Sequence, residues 1–161
     1  MINFICIYTK RQSLRAHTRQ RGDKDMKKTI EELLESPCWV IDILPKQVPA
    51  GSPGQYFTID KYYLDGDQQA TIKQKHINTV LKLNCYVDIS IDEGATWNPD
   101  PHILVREMRG RWFYIMLEDA MILTEPDDTH LSLFNPSEEL LELVKQIAAS
   151  EGLFVWQSPD A

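Results

Sequence analysis

Residues 111–134 read RWFYIMLEDAMILTEPDDTHLSLF, and this stretch decides the fold. Arg111 to Leu117 is an extended run. Its side chains from Trp112 onward are apolar on both faces, the pattern of a central strand covered on two sides. Glu118-Asp119 turns the chain, and Ala120 to Thr124 gives a further short strand. After the acidic loop Glu125-Pro126-Asp127-Asp128, His130 to Phe134 resumes an extended form.

Toward the carboxyl terminus, Asn135-Pro136-Ser137-Glu138 predicts a helix start, with Asn135 as N-cap and Pro136 in the first position. Leu140, Leu141, Val144, Ile147 and Ala148 line one face, and Gly152 stops the helix. Leu153 to Trp156 forms a last short strand. Toward the amino terminus, His102 to Met108 is expected to pair with Arg111 to Leu117 through a hairpin at Arg109-Gly110. Cys85 to Ile91 alternates with period two, and residues 68–82 carry a helical stripe of Ile72, His76, Val80 and Leu83. Gln55 to Leu64, rich in aromatics, is expected to be a strand entering an irregular turn. Pro45 to Gly54 is a loop or flap, and Trp39 to Leu44 is a strand. Thr29 and Glu32 form a capping box for a short helix that ends at Ser36-Pro37.

The fold class is therefore α+β. A mostly antiparallel sheet of about five to seven strands packs with two main helices (about 68–82 and 136–150) and a short N-terminal helix. With 161 residues, the chain is read as one domain over 26–161. Residues 1–25 are expected to be a disordered or upstream extension, because Met26-Lys27-Lys28 resembles a bacterial start directly before the capping box. In that extension the apolar run Ile2 to Tyr8 precedes the basic residues, the reverse of a secretory signal. No stretch approaches the ~18 apolar residues of a membrane span.

Ser90-x-Asp92-x-Gly94-x-Thr96-Trp97 resembles the Asp-box of sialidase-like proteins at all five defining positions. The resemblance covers eight residues and implies a hairpin. Asp92 would bond its own turn, Gly94 would take the positive φ, and Trp97 would fold back as an apolar cover. It implies no activity, since the box lies away from the active site in those propellers, and one copy cannot build a propeller.

Chemistry is harder to place. Four histidines, His17, His76, His102 and His130, show no metal-ligand spacing, and no metal or cofactor is expected. His76 is expected to pack at a helix edge. The acid pairs Asp65/Asp67, Glu118/Asp119 and Asp127/Asp128 fall in turns, where such residues belong anyway. Cys6, Cys38 and Cys85 are odd in number and include no CxxC pair, which favours a reducing cytoplasm, with Cys38 and Cys85 in the core. No P-loop, GxSxG or GxGxxG is present.

Charge supplies the remaining lead. Residues 26–161 hold eleven Lys or Arg against 22 Asp or Glu, a net of −11, while residues 1–25 carry a net of +4. A body that acidic repels phosphate backbones, which disfavours nucleic acid as partner. The first expectation is a non-catalytic bacterial protein-binding or regulatory domain, inhibitor- or immunity-like or an operon accessory, with a basic protein partner. The alternative is a small enzyme or small-molecule binder whose pocket draws on Tyr56, Tyr62, Tyr63, His102 and His130 beside the acidic turns. The sequence leaves oligomeric state open.

Overall fold

A computed structural model describes residues 28–159. The extension at 1–25, with Cys6 and His17, lies outside the described residues. Five helices and seven strands follow among those described: α1 (Ile30–Leu34), β1 (Cys38–Asp42), α2 (Tyr56–Tyr63), α3 (Gly66–Leu83), β2 (Ser90–Ile91), β3 (Thr96–Trp97), α4 (Pro101–Gly110), β4 (Phe113–Leu117), β5 (Ala120–Thr124), β6 (His130–Phe134), α5 (Glu138–Ser150) and β7 (Phe154–Gln157). The strands form one antiparallel sheet in the order β3-β2-β4-β5-β6-β1-β7. The α+β class and the antiparallel sheet agree with expectation.

The meander β4-β5-β6 is the centre. Phe113 faces Thr124 and Leu117 faces Ala120 across the Glu118-Asp119 turn, where Glu118 takes a φ of 50°. β1 then lies on the far side of β6 with Cys38 opposite Phe134, and β7 closes the edge with Val40 opposite Trp156. Alternation sends two apolar sets to opposite faces. On one face Ile41, Ile115, Leu117, Ile122, Leu131 and Leu133 pack with Ile77, Leu104 and Val144 from α3, α4 and α5. On the other, Cys38, Met116, Met121, Leu123 and Phe134 pack with Ile30, Leu33 and Leu34 of α1. Each fully buried aliphatic side chain contributes about 1.5–3 kcal/mol.

The capping box of α1 forms as expected: Thr29 Oγ1 accepts from Glu32 N (3.3 Å), and Glu32 Oε2 accepts from Thr29 N (2.7 Å). Four local expectations are corrected. Gln55–Leu64 is the helix α2, not a strand; Tyr56, Asp60 and Tyr63 turn inward at helical spacing, and aromatic content masked that period. His102–Met108 is α4, so the Arg109-Gly110 hairpin does not exist. Asp100 Oδ1 accepts from His102 N (2.8 Å), Pro101 occupies the first turn, and Leu104 and Met108 are the buried pair.

Cys85–Ile91 is extended only at Ser90–Ile91. The amides of Cys85, Tyr86 and Val87 donate back to Lys82 and Leu83 carbonyls, and Asn84 Nδ2 donates to Val87 O, which leaves no ladder to join. Cys85 is consequently exposed, whereas Cys38 is buried. Finally, Ser137 caps α5, its hydroxyl accepting from Leu140 N (3.2 Å). Asn135 sits outside the helix with φ 53°, donating to Asp119 O (2.7 Å) and accepting from Lys28 Nζ (3.0 Å).

Candidate functional site

Titratable side chains converge where β1 ends and β6 begins. Asp42 and His130 are register partners, 4 % and 5 % exposed. Asp42 Oδ1 accepts from Leu44 N (3.2 Å). His130 Nδ1 lies 2.7 Å from Asp128 Oδ1, which also accepts from Thr129 N (2.8 Å). From α3, Lys73 Nζ donates to Glu125 O and Gln69 Nε2 to Pro126 O, tying the helix to the acidic loop. His76 is fully buried, and neither ring nitrogen has a hydrogen-bond partner among the described residues.

Burial dominates the electrostatics of this polar end. It pushes Asp42 above the ordinary carboxylate range, against the pull of His130. Asp60 on α2 is raised by burial and by Asp128, and Tyr56 is pushed to about 12 by burial and then Asp60, Asp42 and Asp128. Lys73 falls to about 8 through burial, opposed by Asp128 and Asp127. His76 falls to about 3 through burial, with Lys73 and His130 adding repulsion.

The recess beside Asp42 is lined by Leu44, Lys46, Gln47, Val48, Tyr56 and Trp156, and its volume is about 20 Å³. That is the space of a single water. Among the described residues no group of His, Cys, Asp and Glu is arranged to hold a metal ion.

A larger concavity lies elsewhere. A groove of about 410 Å³ runs along the start of α5, lined by Tyr86, Val87, Leu117, Glu118, Ser137, Glu139, Leu140 and Leu143. Leu117 is buried; Val87, Leu140 and Leu143 are half-buried and pack onto the core. Tyr86 stands 71 % exposed. Glu118 and Glu139 are exposed at the rim.

The sequence-predicted residues divide between these places and others. Tyr56 and His130 join the polar end. Tyr63 is half-buried and stacks edge-on with Tyr62 (5.4 Å), which faces solvent. His102 is exposed on the first turn of α4. Asp42, Asp60 and Lys73 were missed; a lone carboxylate in the apolar run Trp39–Leu44 was the available clue. His76 is not at a helix edge but wholly enclosed.

Ser90–Trp97 forms a hairpin in which Ser90 pairs with Trp97 and Ile91 with Thr96. Asp92, Glu93 and Gly94 all take positive φ (53°, 56° and 83°), and Ala95 N donates to Asp92 O (3.0 Å). Two details differ from expectation. The Asp92 carboxylate reaches Arg111 (2.7 Å), and Trp97 is 57 % exposed, so it covers little. The hairpin is fastened by Asn98, whose Oδ1 accepts from Ile89 N and Asn84 Nδ2 while its Nδ2 donates to Asp88.

Compared with protein-family models, curated proteins and solved structures, the chain finds no match in any of the three. Among the described residues no helix is long and apolar enough to cross a membrane.

Proposed function

We propose that this chain is an acidic, non-catalytic protein-binding domain whose partner is basic, inhibitor- or immunity-like or an operon accessory of a bacterial cytoplasm. The observation that carries the reading is a separation in space. Of the acid–base cluster, Asp42 and Tyr56 line a recess of only about 20 Å³, while the 410 Å³ groove has an apolar floor and glutamates at its rim. Catalysis needs both in one place. The net of −11 over residues 26–161 supplies long-range attraction for a basic surface. The odd number of cysteines and the absence of a CxxC pair agree with a reducing compartment, and the Ser90–Trp97 hairpin is read as scaffold.

The test is affinity capture with the full chain at low and high salt, followed by titration of the purified partner. A partner held at low salt and released at high salt is expected, because salt screens charge beyond a Debye length of about 10 Å at 0.1 M. No partner, or one indifferent to salt, contradicts an electrostatic interface.

A second reading, a small-molecule site beneath α2, is favoured by the convergence of Asp42, Asp60, Asp128 and His130. It requires α2 to move, and α2 contributes no buried residue. Its test is whether a ligand changes the chemical shifts of Tyr56 and His130 rather than those of the groove.

A further inference from the structure

We infer that the groove along the start of α5 receives a short basic segment of a partner protein, which lays apolar side chains on Leu140 and Leu143 and sets Lys or Arg against Glu118 and Glu139. The inference rests on the protein-binding reading and names its surface. Three properties of the groove support it.

The floor is apolar and continuous with the core: Leu117 is buried, and Val87, Leu140 and Leu143 are half-buried against the main cluster. Water over such a floor is displaced favourably by an aliphatic or aromatic side chain. Tyr86 stands at its edge, 71 % exposed, a large amphipathic side chain of the kind that anchors interfaces. The size, about 410 Å³, falls in the ~300–1,000 Å³ range of cavities that bury drug-sized ligands.

The rim has one sign. Among the described residues the charged lining consists of two carboxylates, Glu118 and Glu139, with no cation, and neither glutamate forms an ion pair. Glu142 differs, being held by Lys145 (2.7 Å). A small-molecule site draws polar groups inward to converge on its ligand. Here the carboxylates face solvent, suited to long cationic side chains arriving from outside.

An anionic occupant is disfavoured. The positive end of α5 points toward the groove, but Ser137 already accepts from Leu140 N, and Glu138 and Glu139 occupy the first turn. An amphipathic segment with apolar residues on one face and lysines on the other matches floor and rim together.

The experiment measures binding of a fluorescent helical leucine–lysine peptide to the full chain at low salt, with a leucine–glutamate peptide as counterpart. Tyr86→Ala and Glu118→Lys/Glu139→Lys test the groove. Asp65→Lys/Asp127→Lys, equally acidic and exposed but beside the polar end, controls for overall charge. Circular dichroism confirms that each variant is folded. Each groove variant is expected to bind about tenfold more weakly, the control within about twofold of wild type, and the acidic peptide not at all. Equal affinity in all proteins, or equal loss in both charge reversals, overturns the groove and leaves the acidic-body reading standing. Failure of the wild type to bind the lysine peptide also overturns the groove. The protein-binding reading is judged separately by the salt-dependent capture, which does not involve this peptide.

Discussion

Asp42 and His130 face each other across β1 and β6, an acid and a base both more than nine-tenths removed from water. Asp128 Oδ1 lies 2.7 Å from His130 Nδ1 on the loop side, so Asp42 is one of two carboxylates beside this imidazole. Burial then outweighs attraction, and Asp42 holds its proton above the usual carboxylate range.

The consequence for stability has a definite sign. A raised folded-state pKa gives stability that is fully present below the unfolded pKa and is lost as pH rises through the folded value. Asp42→Asn removes that loss while keeping the oxygen that accepts from Leu44 N. The variant is expected to gain on wild type in urea midpoint at pH 7 and to gain less at pH 4. A larger gain at pH 4 contradicts the assignment.

His76 works in the opposite sense. Its folded pKa of about 3 lies below the unfolded value of 6.5, so its contribution is intact above 6.5 and is lost as pH falls toward 3. Each unit of that window costs on the order of 1.4 kcal/mol at most. His76→Leu removes a buried imidazole with no hydrogen-bond partner, so at pH 7 it should lie within about 1 kcal/mol of wild type or be more stable. Its urea midpoint should also fall less between pH 6.5 and 4. An unchanged pH slope rules out His76 as the source of acid sensitivity.

Asn98, not Asp92, fastens the hairpin. Asn98→Ala breaks the bonds to Ile89 N, Asn84 and Asp88 and places alanine at φ 41°, so a loss of about 1–3 kcal/mol is expected. Asp92→Ala likewise places alanine at positive φ (53°) but gives up only an exposed ion pair with Arg111, so it should cost about 1 kcal/mol less than Asn98→Ala. Chemical denaturation of the two variants ranks them; the reverse order means that the Asp92 carboxylate carries the turn.

Within the described residues, cleavage should begin in the segment before α2. Residues 49–55 are exposed, and α2 contributes no buried residue and has no side-chain cap. Brief digestion with a low-specificity protease is expected to cut between Val48 and Tyr56 before it cuts any strand of β4-β5-β6. Early cuts within the meander would mean that the sheet is not the stable centre.

Much of this architecture was legible in the sequence because the meander repeats one rule. Phe113–Leu117, Ala120–Thr124 and His130–Phe134 are short, apolar and separated by turn residues, and all three formed where expected. Two of the errors share a cause. Ile103 and Val105 in α4, and the aromatics of α2, have strand-like propensity, but inward spacing at Leu104/Met108 and Tyr56/Asp60/Tyr63 made helices. The candidate sites were less legible. Asp42 and His130 are far apart in sequence and meet through the β1–β6 register, with Asp128 beside His130 and Asp60 contributed by α2. Tyr86 and Leu140, far apart in sequence, line one groove that no local pattern announces.

The most direct measurement is amide hydrogen exchange on the full chain with and without a bound basic partner or leucine–lysine peptide. Partner binding at the groove predicts added protection over residues 86–87, 117–118 and 137–143, with residues 42–60 and 125–130 unchanged. Protection at 42–60 and 125–130, with the start of α5 unaffected, would contradict the account and move function to the enclosed acid–base cluster.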